Sequence, residues 1–183
     1  MPRYIAFLRA INVGGRVVTM VRLRLLFDSL GFSGVETFIA SGNVVFESRS
    51  GDTRVLSRKI EQLLQQSLGY EVATFIRTDS EVAAIARHRL FESAKARSAK
   101  ALNVGFLSEA PRADARRALM RLRTDSDDFH VHGREVYWLS RTKLSESGFS
   151  YAVFEKTLRV QATFRGLNTV VRLAAKYPPG DGP

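Results

Sequence analysis

Arg9-Ala10-Ile11-Asn12-Val13-Gly14-Gly15, read together with Ser41-Gly42-Asn43-Val44-Val45-Phe46, decides the fold. Each stretch sets small, hydrogen-bonding residues beside an apolar run of the length of a buried strand. Just upstream, Tyr4-Ile5-Ala6-Phe7-Leu8 is continuously apolar, as a central strand covered on both faces must be. Thr19 can cap a helix whose apolar positions Met20, Leu23, Leu26, Phe27 and Leu30 keep the helical period, and Gly31 ends it. Residues 36–39 and 44–47 read as strands. Asp52 or Thr53 opens a second helix with Leu56, Ile60, Leu63, Leu64 and Leu68 inward, closed by Gly69, and residues 72–77 form a fourth strand. The order βαββαβ predicts an α+β, ferredoxin-like half over residues 1–78.

The order then partly repeats over residues 79–177. Thr78-Asp79-Ser80-Glu81 has the capping-box pattern and starts a linking helix through residue 87. Residues 102–107 are strand-like, and Pro111 suits the first turn of a helix reaching residue 123, with Leu119 and Leu122 inward. Residues 129–132 and 135–139 form a hairpin around Gly133-Arg134, where a leading glycine favours a type II′ turn. On it Phe129 and Val131 match Trp138 and Val136 as the buried face, which leaves His130 and His132 on the wetter side. A helix over residues 150–158 follows. Residues 166–176 read as a helix in place of a closing strand, so the second half is expected to be modified and to end in helices. The tail, residues 178–183, reads as disordered.

Composition narrows the class. Hydrophobic content of 45% and aromatic content of 10% in 183 residues support packed cores. No apolar run approaches the roughly 20 residues of a membrane-spanning helix, and the apolar residues 4–8 are too few for a secretory leader. With no cysteine, disulfides and thiolate zinc sites are excluded. A cytoplasmic protein with no membrane partner is the expectation. The net charge of +10 is concentrated: residues 87–123 carry ten Lys and Arg against three acids, 10 − 3 = +7. Arg87, Arg89, Arg97, Arg112, Arg116, Arg117 and Arg121 form the candidate basic patch, the footprint of a surface for nucleic acid or another anion. The competing reading is a solvated face, since Arg far outnumbers Lys in the way a GC-rich genome produces.

Three motifs together resemble a bacterial family of unknown function, domain-of-unknown-function family 1697. Its pattern opens L-L-R-G-I-N-V-G-G, continues S-G-N-V-V-F and closes T-T-R-N-W-N-T-V. Here these stretches read Leu8-Arg9-Ala10-Ile11-Asn12-Val13-Gly14-Gly15, then residues 41–46, then Thr163-Phe164-Arg165-Gly166-Leu167-Asn168-Thr169-Val170. Ala10 stands where the pattern has Gly, and Phe164, Gly166 and Leu167 where it has Thr, Asn and Trp. The resemblance implies ferredoxin-like halves and supplies no reaction.

The residues themselves offer two kinds of site. Asn12, Gly14, Gly15, Ser41, Gly42 and Asn43, with Arg165 and Asn168, are candidate ligand-binding residues: glycine-rich loops present backbone N–H groups to anions. The same glycines can instead serve positive φ, and the asparagines can tie their own loops. Thr169 or Asn168 is expected to cap the last helix, and Arg165 could clamp an anion there. Neither G-x-G-x-x-G nor a Walker lysine is present. Asp128, His130 and His132 share one strand face, but no further ligand supports a metal there, and His88 is expected to be solvated. No catalytic residue and no cofactor is indicated. Three readings follow: a non-enzymatic binding module for an anionic ligand or nucleic acid, an enzyme or small-molecule binder at the residue 12–15 and 41–43 loops, and a structural or protein-interaction module.

Overall fold

The computed structural model describes residues 1–40, 42–143 and 146–180. The chain divides into two compact units, Met1–Ala83 with Leu173–Pro183, and Ala84–Arg172. In the first, β1 (Arg3–Leu8), α1 (Met20–Ser29), β2 (Ser33–Phe38), β3 (Asn43–Glu47), α2 (Thr53–Leu68) and β4 (Thr74–Thr78) follow in order. The four strands form one antiparallel sheet, β2-β3-β1-β4, the ferredoxin-like arrangement.

Local chemistry explains the helix ends. Thr19 Oγ1 accepts the Arg22 N–H at 3.2 Å, and Asp52 Oδ1 accepts the N–H groups of Arg54 and Val55. Gly69 closes α2 at φ 80°, a left-handed cap that costs glycine nothing. One sheet face carries Tyr4, Ala6, Leu8, Val44, Phe46 and Ile76. These pack with Leu23 and Phe27 of α1 and with Leu56, Ile60 and Leu64 of α2. The alternate positions Ile5, Phe7, Val45 and Phe75 are buried as well, which is why β1 reads as an unbroken apolar run.

Linking elements come next: α3 (Asp79–Ala86), a 3₁₀ turn over Arg89–Glu92, and α4 (Ala94–Ser98). The capping box closes reciprocally, Glu81 N–H to Thr78 Oγ1 at 3.1 Å and Thr78 N–H to Glu81 Oε2 at 2.8 Å. The second unit then repeats the plan with β5 (Ala101–Leu107), α5 (Ala113–Met120), β6 (Asp127–His132), β7 (Glu135–Ser140), α6 (Tyr151–Leu158) and β8 (Ala162–Gly166). Its sheet runs β6-β7-β5-β8, all antiparallel, the same topology as the first. The last helix, α7 (Leu167–Lys176), follows β8 directly.

Both halves are α+β and ferredoxin-like, and the second ends in a helix as expected. It also has a closing strand that the sequence reading did not anticipate. Ala162-Thr163-Phe164-Arg165 alternates apolar and polar residues, and the fold buries the polar ones too, at 6% exposure for Thr163 and 9% for Arg165. α5 is shorter than its periodicity suggested. It ends at Met120, and Leu122 is left exposed beyond it. The hairpin register is the expected one, Phe129 opposite Trp138 and Val131 opposite Val136, with φ 58° at Gly133. Of the tail, Pro178 O accepts from Arg3 Nη1 and the Gly180 N–H donates to Asp79 Oδ2; residues 181–183 lie outside the described ones. Among the described residues no helix is long and apolar enough to cross a membrane.

Candidate functional site

The loops around Asn12 and Gly42 do meet, and they meet by bonding each other. Asn12, at φ 57°, accepts the Val18 N–H on Oδ1 at 2.6 Å and donates from Nδ2 to Ala40 O at 3.3 Å. One amide thus ties the strand-to-helix loop to the β2–β3 turn. Asn43 is fully buried and donates from Nδ2 to Phe38 O at 3.0 Å, while the Leu8 N–H donates to Gly42 O at 2.8 Å. Gly42 allows this closeness: a Cβ there would lie 2.7 Å from Ile11 Cγ2. Gly14 and Gly15, at φ 61° and 80°, stand in open space. Ala10 and Ile39 also take positive φ, 53° and 50°, which costs residues bearing a Cβ. Ser41 lies outside the described residues.

The basic segment does not form one continuous patch, because the second sheet lies between its two parts. The rings of His88 and Phe91, which flank Arg89, pack on Tyr137 on one face, with Arg87, Arg89 and Arg97 exposed nearby in the chain. α5 packs on the other face through Leu119, in the cluster of Phe129, Trp138 and Phe154. Along α5 run Arg112, Arg117 and Arg121, exposed, and Arg116, half-buried with its Nε sealed from solvent and without a hydrogen bond. Among the described residues none of these four is ion-paired; the ion pair on this helix joins Asp114 to Arg159. Arg112 sits at the N-cap and makes no side-chain cap bond, a position where an acceptor is normal and the helix dipole repels a cation.

Between the two parts, at the β6 edge, lies a cavity of about 450 Å³ lined by Lys95, Arg123, Arg141, Asp125, Asp127 and Asp128, among others. Lys95 reaches Asp128 at 2.7 Å and Arg123 reaches it at 3.6 Å. Burial pushes the Asp128 carboxyl up, yet the Lys95 bond, the Phe129 N–H and the two cationic neighbours carry it below the ordinary range. Asp127 turns inward, where it accepts the Trp138 indole N–H at 2.8 Å. Lys95 and Arg123 are thus paired with Asp128, while Arg87, Arg89 and Arg97 on the linking segment and the four arginines along α5 have no ion pair among the described residues.

All three histidines gather on the Tyr137 face, a grouping that chain separation hid. The His88 ring lies 5.4 Å from that of His130, 5.2 Å from that of His132 and 4.7 Å from that of Tyr137. His88 is not solvated: it caps the 3₁₀ turn by accepting the Leu90 N–H on Nδ1 at 3.1 Å. Burial, then the neighbouring imidazoles, push the His88 and His130 values down, Asp128 partly opposing at His130. On β6 the histidine side is the wetter one, as expected, with His130 half-buried and His132 exposed against a buried Phe129, although every residue of the adjoining β7 is buried. Among the described residues no three His, Asp or Glu are placed to hold a metal ion.

Arg165 is buried on β8 and donates from Nη1 to Thr163 Oγ1 and Phe164 O, at 3.0 and 2.9 Å. Burial pulls its guanidinium down to about 10, the nearby Tyr151 pulling it back in part. Asn168 is exposed, and α7 begins at Leu167, so Asn168 and Thr169 lie inside the first turn and neither can be its N-cap. The helix starts a residue or two earlier than its capping residues implied, because β8 runs straight into it.

The family model described as "Protein of unknown function (DUF1697)" matches residues 1–137, which includes both N-terminal motifs and stops before the divergent third. No curated protein matches the chain. A solved structure of a conserved bacterial protein from Streptococcus pneumoniae is similar with a TM-score of 0.73 at 21% identity, covering 95% of this chain and 97% of that one. At that identity the likeness speaks to the fold.

Proposed function

We propose, for a chain that belongs to the DUF1697 family of proteins of unknown function, a non-enzymatic binding module that takes an anionic ligand on the outer face of α5. Nucleic acid is the ligand class that suits this face. The observation that carries the reading is the row Arg112, Arg116, Arg117 and Arg121, which has no carboxylate partner among the described residues and extends to a helix N-cap where a cation opposes the dipole. A convex row of guanidinia suits repeated phosphates better than a single small anion, which would need a concave pocket. The absence of exposed aromatics along α5 argues for contact with the backbone over base stacking.

The alternative at the Asn12 and Asn43 loops is weakened by their own bonding, because the amides that would meet a ligand already hold the turn together. Fluorescence anisotropy with labelled RNA and DNA oligonucleotides tests the proposal. Affinity should fall steeply with salt, with a log–log slope reduced by roughly 0.7–0.9 for each phosphate contact removed. The combined Arg116→Glu, Arg117→Glu and Arg121→Glu variant should lose binding by more than about tenfold. Unchanged binding in that variant, or none in the parent at low salt, refutes it.

A further inference from the structure

A second cavity, about 580 Å³, opens at the start of β5 and the β8–α7 junction, lined by Lys100, Ala101, Leu102, Asn103, Leu167, Asn168 and Val171. We propose that it binds a small amphiphilic organic anion, its acidic head at the N-terminus of α7 and against Asn103, its apolar body on Ala101, Leu102, Leu167 and Val171. Two independent features converge there.

The first is Asn103. It stands on a central strand between Trp138 and Gly166, only 6% exposed, and lines the cavity. Among the described residues its amide has no hydrogen-bond partner, and its polar atoms are not sealed from solvent, so they are open to a group that enters the cavity.

The second is the start of α7. The helix is ten residues long, has no acidic residue in its first turn, and is entered directly from β8. Its first N–H groups carry partial positive charge, and among the described residues no side chain caps them. Gly166 stands immediately before it, and a Cβ there would meet nothing within 4 Å, so the approach to those N–H groups is open. Lys100 adds a formal positive charge to the lining. An anion completes this set, while the aliphatic walls select one that carries an apolar group.

Octanoate is the test ligand, titrated into the whole protein and followed by amide chemical shifts and calorimetry. Saturable shifts confined to residues 100–103 and 166–171 are expected. Inorganic phosphate, which has the charge without the apolar body, and 1-octanol, which has the body without the charge, should each bind at least about tenfold more weakly. Asn103→Leu should weaken octanoate by a similar factor while thermal stability holds or rises, an outcome a structural amide would not give. Val171→Trp, at a 42% exposed position on the cavity lip, should block binding without touching the core. Shifts elsewhere, phosphate or octanol equal to octanoate, or full binding by both variants overturns the proposal. The α5 charge-reversal variant should bind octanoate normally, so this site and the arginine row are tested separately.

Discussion

Arg77 and Arg165 hold the same place in their respective sheets. Each is the fourth residue of its closing strand, β4 or β8, each lies opposite a buried aliphatic of the central strand (Ile5 or Val104), and each donates from Nη1 to the carbonyl of the residue before it at 2.9 Å. Arg77 is 1% exposed and Arg165 9%. A guanidinium at a core position is tolerated only when its N–H groups are bonded, so the two halves share a device as well as a topology.

Replacing Arg77 by Ala should therefore cost about 2–4 kcal/mol, from lost packing of its long stem and from acceptors left behind. Arg77→Met, which keeps the volume, should cost clearly less. Urea unfolding measures both, and equal losses for the two would show that charge, with no contribution from packing, is what the site needs.

The histidine cluster predicts a pH dependence. The folded values of His88 and His130 lie below the ordinary imidazole value of about 6.5. The unfolded chain thus binds more protons in that window, so the stability they confer is complete above about pH 6.5 and is lost as pH falls through the folded values. His88 adds a mechanical link, since a protonated Nδ1 cannot accept the Leu90 N–H. Unfolding midpoints compared at about pH 7.5 and about pH 5 should fall in the parent and fall less in His88→Asn, which retains an acceptor without titrating. Identical pH profiles would remove His88 from the explanation.

Ala10 offers a stabilising change. Its φ of 53° is left-handed, and the family pattern it resembles has glycine at this place. Ala10→Gly should raise stability by about 0.5–1 kcal/mol, because the relief of strain exceeds the extra entropy of the unfolded chain. A drop in the melting temperature would mean that the methyl group packs better than its backbone suggests.

Asn12 and the glycines beside it should grade in the order of what they touch. Asn12→Ala removes both ties and should cost about 1–3 kcal/mol. Gly42→Ala places a Cβ 2.7 Å from Ile11 at φ 76°, so it should cost more than Gly14→Ala, whose φ of 61° is strained but whose surroundings are empty. Denaturation of the three variants checks the order, and Gly14→Ala as the most damaging would point to a role for that loop outside folding.

Local signals explain why so much of the architecture was legible. Thr19, Asp52, Gly69 and the Thr78–Glu81 pair act within one helical turn, and the Trp138 face follows from alternation along two adjacent strands. The β8 strand escapes the sequence because its alternation, Ala162-Thr163-Phe164-Arg165, is only four residues long and runs directly into α7; that Thr163 and Arg165 are buried shows only in the fold. The basic run misled in a different way. Seen linearly it is one block of +7, yet the 3₁₀ turn and α5 stand on opposite faces of a sheet that a linear count cannot register.

Sequence alone determined the element order of the first half, the caps at Thr19, Asp52, Gly69 and Thr78, the hairpin register and the family, since each rests on contacts between residues near in the chain or on short motifs. Tertiary structure decided that His88 joins His130 and His132, that Asn12 spends its amide on the β2–β3 turn, and that Asn103 faces a cavity beside the start of α7. Those relationships depend on which distant residues share a sheet face or a strand end, and only the pairing of the strands brings them together.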